Sequence, residues 1–144
     1  MVRVFLGSAN TTSALDDLRK IAMLIEEVGH DAIPWYSPGV FPLGNHMDES
    51  LHKVCKLVDA AILIFSEDSH VLFDNEFSLH PKSNVLYEYG LFKGNLGAER
   101  TIICRRGSST IPSDLSGVIY CNLDKQYKAE RELLAWLRLL SPKM

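Results

Sequence analysis

Ala60-Ala61-Ile62-Leu63-Ile64-Phe65 is a run of six apolar residues with no polar side chain on either face. A strand with one solvated face alternates, so an unbroken run of this length predicts a strand covered on both sides, as in a parallel sheet. Toward the N-terminus, Met47, Leu51, Val54, Cys55 and Val58 keep helical spacing. The stretch before them, Ser37 to His46, holds two Pro and two Gly and carries Val40, Phe41 and Leu43, which predicts a mobile, lid-like loop. Asp31 to Tyr36 reads as a strand, and Pro34 places it at a sheet edge. Leu18, Ile21, Ala22, Ile25 and Val28 mark a further helix, opened by a capping box from Ser13 to Asp16 and stopped at Gly29. Val2 to Leu6 is the first strand, and it ends in the turn Gly7-Ser8-Ala9-Asn10.

Toward the C-terminus, Ser66 to Lys82 mixes charged and apolar residues without a clear period and reads as a long loop. Asn84 to Gly97 is a helix, Thr101 to Arg105 a fourth strand, and Gly107 to Gly117 a loop with at most one helical turn near Ser113. Val118 to Leu123 is a fifth strand, followed by a helix with Leu133, Leu134, Leu137 and Leu140 on its buried face. Strands alternating with helices predict an α/β fold: a five-stranded parallel sheet of flavodoxin-like type with helices on both faces, one domain over residues 1–144. Such sheets bind ligands beyond the carboxyl ends of their strands, where strand order reverses. That rule places Gly7, Ser8, Trp35, Ser66 and Asp68 at the ligand rim, with Phe41 on the adjoining loop.

The start of the Asn84 helix reaches the same rim, and it carries Glu88. At 100° per residue Val85, Tyr89, Phe92 and Leu96 form an apolar stripe beside this carboxylate. Gly90 and Gly94 leave a bare strip on the far side, suited to close approach by another backbone. A charge on so apolar a helix needs a cationic partner or a cavity in which a ligand supplies one. Trp35 is placed to stack on a ligand ring or to join the core, and Ser8 and Asn84 to bond a ligand or else to serve the turn and the N-cap. Tyr87 and Tyr89 read as packing residues.

Composition narrows the function. A net charge of −3 with scattered Lys and Arg gives no footprint for nucleic acid or for a membrane surface. No apolar run is long enough to span a bilayer, and the opening strand leaves no room for a signal peptide, which predicts a cytoplasmic protein. Cys55, Cys104 and Cys121 sit widely spaced in apolar segments, as reduced core thiols would. No ligand spacing of His or Cys suggests a metal. The Gly7 turn is not a dinucleotide-binding glycine loop.

With its elements in this order, the chain resembles the bacterial TIR-like domains, relatives of the Toll/interleukin-1 receptor fold, in the branch described as nucleotide-binding. The residues that carry the resemblance are Val4-Phe5-Leu6-Gly7-Ser8, the Trp35 to Phe41 stretch, Asn84-Val85-Leu86-Tyr87-Glu88-Tyr89-Gly90-Leu91-Phe92 with Gly94 and Leu96-Gly97, Glu99-Arg100-Thr101, and Ile111 to Gly117. Members of this branch usually carry Arg-Asp before the Asn; here the pair is Lys82-Ser83. The resemblance implies hydrolysis of NAD+ to nicotinamide and an ADP-ribose product, with NAD+ as substrate, no cofactor, and Glu88 as the catalytic residue. It further implies an antiviral effector, active on self-association and coupled in cis or in trans to a cyclic-nucleotide sensor of the STING type. No sensor is legible in these residues, so the chain is expected to be either standalone or an excised module. Two other readings share the sheet: a noncatalytic TIR-type adaptor, and a nucleoside N-glycosidase or deoxyribosyltransferase that also uses a helix glutamate.

Overall fold

A computed structural model describes residues 1–66, 69–73, 76–80, 83–107 and 117–144, with backbone alone at 69–73, 76–80 and 83–84. Strands β1 (Arg3–Gly7), β2 (Asp31–Pro34), β3 (Ala60–Phe65), β6 (Thr101–Arg105) and β7 (Cys121–Asn122) form one parallel sheet in the order β2-β1-β3-β6-β7. The expected flavodoxin-like arrangement is therefore the observed one. The unbroken apolar run is the central strand, buried at all of its residues. Pro34 ends β2 at the sheet edge, where its missing N–H leaves no gap in a ladder.

Side-chain alternation along the strands builds two cores. Val4, Leu6, Ile62, Ile64 and Cys104 face α1 (Thr12–Glu27) and α4 (Gln126–Leu139), whose Leu18, Ile21, Ile25, Leu133 and Leu137 complete the first. Phe5, Ala61, Leu63, Phe65 and Ile103 face α2 (Met47–Leu57) and α3 (Ser83–Leu96), whose Leu51, Val54, Val85, Tyr89 and Phe92 complete the second. All three cysteines are buried free thiols.

Four details depart from the sequence reading. The Ser66 to Lys82 segment contains an antiparallel hairpin of β4 (Ser69–Phe73) and β5 (Glu76–His80) rather than a loop throughout. Helix α1 is capped by Thr11, whose hydroxyl accepts Ala14 N–H at 3.2 Å, so the Ser13 box is not used. The fifth strand shrinks to Cys121–Asn122. The Gly90 and Gly94 strip meets no backbone among the described residues, and both positions face open space. The expected turn near Ser113 lies outside the described residues. Gly29, at φ +86°, closes α1: its N–H reaches Glu26 C=O and that of His30 reaches Ile25 C=O.

One ion-pair network ties the first core's helices to the sheet's carboxyl end. Arg106 holds Asp17 by two hydrogen bonds, 3.0 and 2.6 Å, and reaches Asp124 at 3.2 Å, while Asp17 is 5% exposed. Removing the carboxylate strands a partly buried guanidinium, so Asp17→Ala is expected to cost about 2–4 kcal/mol in a denaturant melt. A loss under about 0.5 kcal/mol would show that Asp124 and solvent suffice for Arg106.

Candidate active site

Two aromatic contacts set the position of α3. Phe5 of β1 stacks on Phe92 with ring centroids 4.5 Å apart, and Phe65 of β3 meets the edge of Tyr89 at 6.1 Å. Residues 89 and 92 are thereby pinned to the sheet, and Glu88, one residue before Tyr89 on the same helix, is brought over the end of β1. A Cβ built on Gly7 would lie 3.1 Å from Glu88 Oε2 and 2.6 Å from Leu63 Cδ1. Gly7 is the residue whose lack of a side chain makes room for the carboxylate.

Glu88 is 3% exposed, and its Oε2 has no hydrogen-bond partner. Burial alone pushes its pKa up to about 8. Of the two alternatives open to so buried a carboxyl group, a cationic partner is not found among the described residues. Instead the carboxyl group borders a cavity of about 470 Å³ lined by Trp35, Phe41, Met47, Asp48, Leu51, Tyr87 and Glu88. That volume suits a small organic ligand or one half of a dinucleotide.

Of the residues expected at the rim, Trp35, Phe41 and Glu88 line this cavity together, and Gly7 underlies it. Trp35 follows β2, its backbone N–H bonded to Leu6 C=O at 2.8 Å, and its ring meets Tyr36 edge-on at 5.5 Å. Ser8 is buried; its hydroxyl donates to Ala9 C=O at 2.9 Å and accepts from Trp35 Nε1 at 3.0 Å. The hydroxyl proton is committed to backbone, so Ser8 acts first as the support that orients the indole. Ser66 is buried at the end of β3 but does not line the cavity. Asp68 lies outside the described residues. Asn84 is placed by its backbone alone, in the first turn of α3.

Phe41 packs partly against the second core, and Val40 beside it is buried, so the loop has more purchase on its own domain than its Pro and Gly content suggested. Tyr89 packs as expected. Tyr87 does not: it is 51% exposed on the cavity rim and donates a hydrogen bond to Asp48 of α2. Asp48, Met47 and Leu51 had no sequence signal beyond helical spacing; their place at the site follows from α2 packing beside α3.

The buried carboxyl has a stability cost with a definite sign. Glu88 is protonated in the folded protein up to about pH 8, whereas in the unfolded chain it ionises near 4.5. The Glu88 contribution to stability is therefore greatest below 4.5, falls as pH rises between the two values, and levels off above 8. Relative to Glu88→Gln, the parent protein is expected to lose on the order of 2–4 kcal/mol across that window, seen as a widening gap in thermal midpoints. A gap that stays constant from pH 4.5 to 8 would mean that Glu88 is ionised in the empty site.

The fold and the site define a flavodoxin-like α/β domain with a carboxyl group buried at the strand-order reversal. A family model described as the TIR domain of CAP12/Pycsar effector proteins matches residues 3–125. The chain belongs to this family of TIR domains. The Pycsar effector protein PaPycTIR of Pseudomonas aeruginosa is 37% identical over 103 residues, covering 68% of this chain and 33% of that protein. CD-NTase-associated protein 12 of Sphingobacterium faecium is 30% identical over 118 residues, 81% of this chain and 34% of the relative. Uncharacterized protein YuaY of Escherichia coli strain K12 is 40% identical over 79 residues, 54% of this chain and 26% of that protein. These matches span about a quarter to a third of the relatives' length. Among solved structures, a 2-deoxyribosyltransferase of Bacillus psychrosaccharolyticus superposes with a TM-score of 0.61 at 12% identity, covering 99% of both chains, a likeness of fold. Among the described residues no helix is long and apolar enough to cross a membrane, and no group of His, Cys, Asp and Glu could hold a metal.

Proposed function

We propose that the chain hydrolyses NAD+ at the nicotinamide–ribose bond, with Glu88 as the catalytic residue. The observation that carries this reading is an unpartnered, buried carboxyl group facing an aromatic-walled cavity. Nicotinamide leaves as a neutral ring from a cationic one, so the reaction needs no general acid. One carboxylate beside the ribose stabilises the oxocarbenium-like transition state by its charge, or attacks the anomeric carbon before water completes the hydrolysis. In the empty cavity Glu88 holds a proton; an arriving cationic ring favours its release and supplies the charge when it is needed.

In this reading the domain is the effector part of a cyclic-nucleotide-linked defence system, in the cytoplasm, and becomes active on self-association. A STING-type sensor in cis or in trans is the partner that drives assembly. The adaptor reading requires no vacant carboxyl group, and the state of Glu88 supports the enzyme over it. Incubation with NAD+ and, separately, with deoxynucleosides, followed by chromatography at several protein concentrations, tests the proposal. Free nicotinamide from NAD+ is expected, with specific activity rising with concentration. Release of base from deoxynucleosides but not from NAD+ would replace this reading with the deoxyribosyltransferase one, and no turnover of either even on enforced oligomerisation would leave the adaptor.

A further inference from the structure

Asp48 and Tyr87 stand at the rim of the cavity and are not used by the chemistry above. Asp48 lies in the first turn of α2, Tyr87 is one residue before Glu88 on α3, and their hydrogen bond runs from the phenol to the carboxylate across the gap between the helices. Since the Tyr87 proton is spent on Asp48, both groups present only lone pairs to a ligand. The remaining wall, Trp35, Phe41, Met47 and Leu51, is aromatic or apolar, and among the described residues no Lys, Arg or His lines the cavity. A buried, unpartnered Glu88 oxygen borders the same space. This wall can satisfy a positive ring and its aromatic faces add to that attraction, whereas a phosphate finds no cationic side chain among the described lining residues.

We propose that Asp48 is a specificity-determining residue that makes the pocket select a positively charged ring over a neutral one, a role that rests on the NAD+ reading and names the feature of the substrate being read. The ring is cationic in bound substrate and neutral once the glycosidic bond breaks. Attraction to Asp48 is thus strongest in the ground state and vanishes in the product, which favours capture of substrate and release of nicotinamide. Such an interaction lowers KM without raising kcat. Among the described residues the cationic candidate beside Asp48 is His52, 4.0 Å from its Oδ2 with both side chains more than half exposed, an arrangement that leaves the carboxylate available to a ligand.

Calorimetric titration with 1-methylnicotinamide, a pyridinium cation, and with neutral nicotinamide tests this on the parent protein, Asp48→Asn and Tyr87→Phe. The parent is expected to prefer the cation by about three- to tenfold, Asp48→Asn to lose the preference, and Tyr87→Phe, which keeps the carboxylate, to retain it. In turnover assays Asp48→Asn is expected to raise KM for NAD+ by about the same factor with kcat unchanged or raised, since an attraction that fades as the bond breaks favours the ground state. A parent protein that does not prefer the cation, or binds neither ring at millimolar concentration, overturns the proposal; so does loss of the preference in Tyr87→Phe to the same degree as in Asp48→Asn. The two readings fail separately. NAD+ cleaved with an unaltered KM in Asp48→Asn removes this proposal alone, while a charge preference that Asp48→Asn abolishes, in a protein that does not cleave NAD+, removes the catalytic reading and leaves the selectivity.

Discussion

Glu88→Gln is expected to lose NAD+ cleavage almost completely, with kcat down by at least about 100-fold, in a protein that is folded and no less stable than its parent. The amide keeps the size and much of the hydrogen-bonding capacity of the carboxyl group, so the cavity shape is preserved. It cannot acquire the negative charge that the oxocarbenium-like state requires, and in a site walled by Trp35, Phe41 and Leu51 little solvent screens that loss. Stability moves the other way at neutral pH, because the mutation removes a group that burial holds away from its preferred ionisation. Loss of activity together with an unchanged or raised thermal midpoint is the signature of a catalytic role. Retention of more than about a tenth of parental turnover, a loss under ~1.4 kcal/mol, would end the assignment of Glu88.

Gly7→Ala is expected to damage both fold and activity although it adds a single methyl group. The new carbon would sit 2.6 Å from Leu63 Cδ1 and 3.1 Å from both Glu88 Oε2 and Phe5 Cε2, and Leu63 and Phe5 are fully buried. Relief requires Leu63 to leave its rotamer or α3 to lift from the sheet, which costs about 1–3 kcal/mol. Displacement of Glu88 by even a fraction of an ångström misaligns it with the ribose, and turnover is expected to fall by about tenfold or more. Measuring the denaturation midpoint and kcat together separates the two effects. A variant with parental stability and parental kcat would show that the end of β1 yields without moving Glu88.

The fold was legible because its strands are short apolar runs and its helices keep their spacing. Ala60 to Phe65 is typical of a doubly covered strand, and Pro34 argues for an edge. The β4–β5 hairpin was missed because charged and apolar residues interleave around Asp74-Asn75 without the strict alternation of a half-buried strand, although that dipeptide is itself turn chemistry. The Thr11 cap was missed because Thr11, Thr12 and Ser13 are all competent caps and only backbone geometry chooses among them. At the site, Glu88 announced itself as a carboxylate on an apolar helix. Asp48 and Met47 did not, since nothing along the chain says which turn of α2 will lie against which turn of α3. Tyr87 reads as a packing residue in the sequence because a tyrosine beside buried neighbours looks the same whether it points inward or across a cavity mouth.

At the amino end of the sheet a single carboxylate joins the two extremities of the described chain: Asp59 accepts the backbone N–H of Arg3 at 2.9 Å and that of Lys143 at 2.9 Å. The cavity lies at the other end of β1, roughly 15 Å away by the rise of a five-residue strand. The topology is therefore nearly circular, and a short linker between residues 3 and 143, with new termini cut elsewhere on the surface, should preserve the ring of contacts. Anything tethered at either extremity pulls on the pole remote from Glu88. A module attached there would load the domain at the end of the sheet opposite its pocket.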